Sequence, residues 1–121
     1  QIRNFYFEKL KNLPIKFQKI EKNNLCSYHL VIVIISKKLR NKLFKFLRKN
    51  KININIHYIP IFFHPYYFSK KHFINKNSIK YYDTAISLPA YFDIERSQLL
   101  KVVKTIKLFF KNYDRKIYKT K

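Results

Sequence analysis

Apolar positions along this chain change period several times, and each change marks an element. From Gln1 to Leu13, Ile2, Phe5, Tyr6, Leu10 and Leu13 fall on one helical stripe. Pro14 disfavours helix at Leu13 and stops it. Ile15 to Ile20 reads as a weak strand, and Glu21 to Asn24 as a polar connection. Ser27 to Ile35 is the strongest strand signal. It is nearly all apolar and β-branched, which predicts a central strand buried on both faces. Ser36 is placed to cap a helix over Lys37–Lys49, with Leu39, Leu43, Phe44, Phe46 and Leu47 on its apolar face and Asn50 at its end.

The next stretch, ININIHYIPIFFHPYY from Ile52 to Tyr67, is the one around which the chain is organised. Ile52, Ile54, Ile56 and Tyr58 alternate with Asn53, Asn55 and His57. That period of two predicts a strand with the isoleucines buried and His57 on the other face. Pro60 and Pro65 end regular pairing because neither has a backbone donor. Strand, helix and second strand make a βαβ-like or split unit. The loop that follows is either a binding loop on a rigid strand or a surface loop packed by its own aromatics.

Lys70 to Lys76 is a polar loop carrying His72. Asn77 or Ser78 is placed to cap a short helix to Thr84 that buries Ile79, Tyr82 and Ala85. Ile86 to Pro89 is a short extended segment. Asp93 is placed to cap a last helix over Ile94–Lys111, with Leu99, Val102, Val103, Ile106, Phe109 and Phe110 at core spacing. Residues 113–121 form a basic tail. The sum is one α+β domain over residues 1–112: a short sheet of about three or four strands packed by helices.

Composition narrows the picture. Of 121 residues, 47% are hydrophobic, so the chain can bury a core. No apolar run reaches the roughly 18 residues that span a bilayer, and no signal-peptide pattern opens the chain. Cys26 is the only cysteine, which excludes an internal disulfide and a cysteine zinc cluster and suits a cytoplasmic setting. The chain begins with Gln1 and has no Met, as a piece of something longer would. Net charge is +21, which invites a nucleic-acid reading. Two facts weaken it. Lys, Asn, Ile, Phe and Tyr, all with AT-rich codons, exceed half the chain, and the basic residues are scattered rather than blocked. Nonspecific attraction to polyanions at low salt remains expected, without specific nucleic-acid recognition. Glycine is absent, so Asn50 and Asn112 are the residues placed to take left-handed turns.

Common catalytic constellations are missing. Without glycine there is no phosphate loop, and the six carboxylates form no evident pair. His29, His57, His64 and His72 lack metal-type spacing. The residues best placed to contact a ligand are His57, Tyr58 and His64 near one strand end. His29 is either a fourth such group or a hydrogen-bonded core or edge histidine.

SYHLVIV at Ser27–Val33, a helix with Leu43-Phe44, NIHYIP at Asn55–Pro60, PYY at Pro65–Tyr67 and AISLPAY at Ala85–Tyr91 occur in that order before a closing helix. Together they resemble the C-terminal small domain of the DegT/DnrJ/StrS sugar-nucleotide aminotransferases, with the pseudaminic acid branch nearest in flavour. The resemblance implies a pyridoxal-phosphate enzyme of the aspartate aminotransferase type, in which a separate large domain binds pyridoxal 5'-phosphate through a Schiff-base lysine. It also implies a homodimer that moves an amino group from glutamate to a nucleotide-linked 4-keto sugar. His57 and Tyr58 match the family's His-Tyr pair and would line the sugar-nucleotide side of the cleft. Phe62 stands where the family has His, and His64 where it has Gln. In an extended chain His64 would point to the same side as residue 62. Lys51 and Asn53 replace usual glycines, and Phe92 stands where Pro is frequent. No lysine sits in a Schiff-base motif, which predicts that this chain alone is inactive. The alternatives are a small basic module for nucleic acid or an anionic surface, or a remnant without function.

Overall fold

The computed structural model describes residues 1–68 and 74–119. Its elements follow the sequence order. Helix α1 spans Ile2–Leu10, strand β1 Ile15–Phe17, strand β2 Val31–Ile35 and helix α2 Lys37–Lys49. A 3-10 turn at Ile61–Phe63 leads into helix α3, Pro65–Phe68. Helix α4 covers Lys76–Thr84, strand β3 Ala85–Leu88 and helix α5 Arg96–Lys119. Most of the Lys70–Lys76 loop, His72 included, lies outside the described residues.

The sheet runs β1-β2-β3, antiparallel throughout, with Ile15 opposite Ile35 and Val33 opposite Ile86. β2 is the central strand and is buried, as its composition requires. Its residues Val31, Val33 and Ile35 join Ile86 and Leu88 on one face. Tyr6 and Leu10 of α1, Leu39, Leu43 and Leu47 of α2, and Leu99 to Phe110 of α5 complete that core. Ile32, Ala85 and Ser87 are buried outside this cluster, on the opposite face of the pleat.

Residues 52–57 do not form a ladder strand. They are extended, with a single antiparallel bridge between Asn55 and Ser87. β3 pairs with β2 through all four of its residues, from Ala85 to Leu88, but meets this segment only at Ser87. The period of two nevertheless controls burial: Ile52 and Ile54 are buried while Asn53 and Asn55 are exposed. Since β3 is antiparallel both to β2 and to this segment, β2, α2 and residues 52–57 make the split arrangement, with β3 inserted between. Tyr58 departs from the alternation. It is 76% exposed, and the peptide that joins it to His57 is cis.

Other local expectations change. The strong strand starts at Val31, since Tyr28 has φ 51° and breaks the extended run before it. Asn50 keeps φ at −85° and bonds the Phe46 carbonyl through its side chain at 2.8 Å, while Lys51 takes the left-handed φ of 58°. Asn112 sits inside α5, which continues to Lys119 through most of the basic segment. Ser36 precedes α2 but makes no side-chain cap bond. Asn75, not Asn77 or Ser78, caps α4, its side chain accepting from the Asn77 and Ser78 amides. α5 opens at Arg96 rather than after Asp93, with the Gln98 side chain reaching back to the Glu95 amide at 2.9 Å. Arg40 of α2 is buried and donates to the Tyr82 and Asp83 carbonyls at the end of α4.

Candidate functional site

The candidate site begins at the Asn55 bridge. Asn55 and Ser87 exchange both backbone hydrogen bonds, at 2.9 and 3.4 Å, which anchors the extended segment on the sheet edge. His57, two residues on, lies on the same side as Asn55 and Ser87. Its Nδ1 stands 3.1 Å from the Ser87 hydroxyl. The imidazole is half-buried, and the Tyr58 ring packs on it with centroids 4.7 Å apart. So a buried strand holds one ring nitrogen, and an exposed phenol flanks the ring.

Ser87 is the residue that sequence reasoning missed. It is the one polar side chain in the buried strand Ala85–Leu88, and a buried hydroxyl requires a partner. That requirement was legible; which residue would meet it was not.

His64 is exposed, at the joint between the 3-10 turn and α3. The turn corrects the expectation that residues 62 and 64 share a side. At about 120° per residue, positions two apart point roughly 120° away from one another. The Phe62 ring instead packs edge-on against Phe63 at 4.8 Å. His29 sits in the exposed bend before β2 rather than in the strand. The structure thus joins His57 and Tyr58; no described contact joins His64 or His29 to them. A surface cavity of about 210 Å³ opens beside the start of the same segment, lined by Lys51, Asn53, Tyr91, Gln98 and Lys101 among others. Among the described residues no group of His, Cys, Asp or Glu could hold a metal ion, and no helix is long and apolar enough to cross a membrane.

The sequence model of the DegT/DnrJ/EryC1/StrS aminotransferase family matches residues 1–107. The chain belongs to that family. An uncharacterized protein of Methanocaldococcus jannaschii is 29% identical over 117 residues, covering 88% of this chain and 30% of the relative. Among solved structures, the aminotransferase TlmJ of Streptoalloteichus hindustanus superposes with TM-score 0.85 at 13% identity, over 93% of this chain and 30% of that one. Helicobacter pylori PseC, an aminotransferase involved in the biosynthesis of pseudoaminic acid, gives 0.78 at 20% identity over 92% and 31%. These likenesses fix the fold as a small α+β part of the aminotransferase architecture. The chain spans about 30% of the length of the relatives it matches.

Family aminotransferases depend on pyridoxal 5'-phosphate. The described residues of this chain do not fit that group themselves. Every lysine whose side chain is described is exposed, whereas an imine-forming lysine works in a desolvated pocket. What this DegT/DnrJ/EryC1/StrS chain brings is the His57–Tyr58 pair on its extended segment, with Ser87 behind it.

Proposed function

We propose that this chain is the part of a sugar-nucleotide aminotransferase that closes over the substrate. The full reaction passes an amino group from glutamate to the keto group of a nucleotide-linked 4-keto sugar, for cell-surface polysaccharide or glycan synthesis in the cytoplasm. Pyridoxal phosphate, held by a large domain in a homodimer, supplies the electron sink. This chain supplies part of the wall that binds and orients the sugar nucleotide, and by itself it is inactive. The observation that carries the reading is the His57–Tyr58 pair, anchored by Ser87 and facing outward from a rigid sheet edge. His64 and His29 belong to the proposed wall only if substrate reaches them.

A labelled sample titrated with a UDP-linked N-acetylated sugar tests this. Saturable NMR shifts centred on His57 and Tyr58, persisting at moderate salt, are expected. Shifts spread over the lysines and abolished by salt would instead mark bulk charge and refute the reading. Incubation with pyridoxal phosphate is expected to give no Schiff-base absorbance; a reducible adduct at one lysine would overturn the claim of inactivity.

A further inference from the structure

We propose that Ser87 is a positioning residue that locks His57 as an outward hydrogen-bond donor, presenting Nε2–H to an oxygen acceptor on the ligand. The ligand half of this statement rests on the function proposed above; the lock itself does not.

The Ser87 hydroxyl is buried, and among the described residues its hydrogen-bond partner is His57 Nδ1 alone. A hydroxyl carries one proton and two lone pairs. An O–H buried without an acceptor is costly, while a spare oxygen lone pair is more readily tolerated. The hydroxyl therefore donates and Nδ1 accepts. Neutral His57 then has to carry its proton on Nε2. Two backbone hydrogen bonds between Asn55 and Ser87 hold the hydroxyl in place beside the segment, and the Tyr58 ring packs on the imidazole. The one nitrogen able to act as a base is thereby turned inward against Ser87. His57 binds; it does not abstract a proton. Its Nε2–H suits a phosphate, hydroxyl or carbonyl oxygen, the acceptors a nucleotide sugar displays.

Long-range proton–nitrogen correlation spectra of the labelled 121-residue chain without ligand read the tautomer directly. His29 and His64, both exposed, serve as references in the same spectrum. His57 is expected as the Nε2–H form in roughly tenfold excess, the ratio one net hydrogen bond sets. Ser87→Ala should relax it to the mixture seen for His29 and His64 without moving the Tyr6 or Ile54 signals, and Ser87→Thr should restore it. A His57 that carries its proton on Nδ1, or that matches the two references in the unmodified chain, would overturn the proposal. So would a folded Ser87→Ala chain with an unchanged His57. Because no ligand is present, the answer is independent of the sugar-nucleotide titration.

Discussion

Removing one oxygen from Tyr6 should weaken the fold by a calculable amount and also change how the fold responds to alkali. Tyr6 is fully buried in α1, and its hydroxyl donates to the Pro89 carbonyl at 3.0 Å, tying the first helix to the turn after β3. Tyr6→Phe keeps the ring and its packing. The lost hydrogen bond is worth about 1 kcal/mol net, and a half-buried carbonyl loses its partner, so about 1–2 kcal/mol is expected. With a urea slope of about 1.5–2.5 kcal/mol per molar, the unfolding midpoint should fall by roughly 0.5–1 M. The pH arm is independent. Burial, and secondarily the nearby Tyr91, pushes the Tyr6 phenol well above the usual tyrosine range. The folded state therefore keeps a proton that the unfolded chain releases near pH ~10. Its contribution to stability is complete below that pH and is lost as pH rises above it. Tyr6→Phe should flatten that alkaline decline. It should not abolish it, because burial raises Tyr81 as well. Urea titrations followed by circular dichroism at neutral pH and at several values above pH ~10 supply both readings. An unchanged midpoint at neutral pH would refute the hydrogen-bond account, and an undiminished alkaline slope would refute the burial account.

Two other changes have definite signs. Arg40→Met keeps the buried stem but removes two charge-assisted bonds at 2.9 and 3.1 Å to the end of α4, so a loss of about 2–3 kcal/mol is expected in the same urea assay; no loss would show that water replaces the guanidinium. Lys51→Gly relieves a left-handed φ of 58° on an exposed residue and should raise the midpoint by an amount worth up to about 1 kcal/mol; a lower midpoint would mean that the lost side chain mattered more than the relieved backbone.

Burial was legible in the sequence wherever one period held over several residues. The six core positions of α5 from Leu99 to Phe110, the leucines of α2, and Ile52 with Ile54 are all buried as their spacing requires. Local ends were less legible. Without glycine, the left-handed turn fell to Lys51 rather than Asn50, because Asn50 was engaged in capping the Phe46 carbonyl. Ser87 escaped because a polar residue in an apolar strand announces a partner without saying where in the chain it lies, and Arg40 because it stands among the charged residues of α2.

The candidate site divides in the same way. Alternation along residues 52–57 was enough to turn His57 away from the isoleucines, since side-chain direction in extended chain depends only on parity. Parity is a local property, and the amino-acid order fixes it. That Nδ1 meets a hydroxyl thirty residues on, that the segment meets β3 at one bridge rather than along a ladder, and that Tyr58 swings out to solvent were settled by tertiary structure alone. Each depends on β3 lying between β2 and the extended segment, and such long-range adjacency is fixed only when the whole core closes.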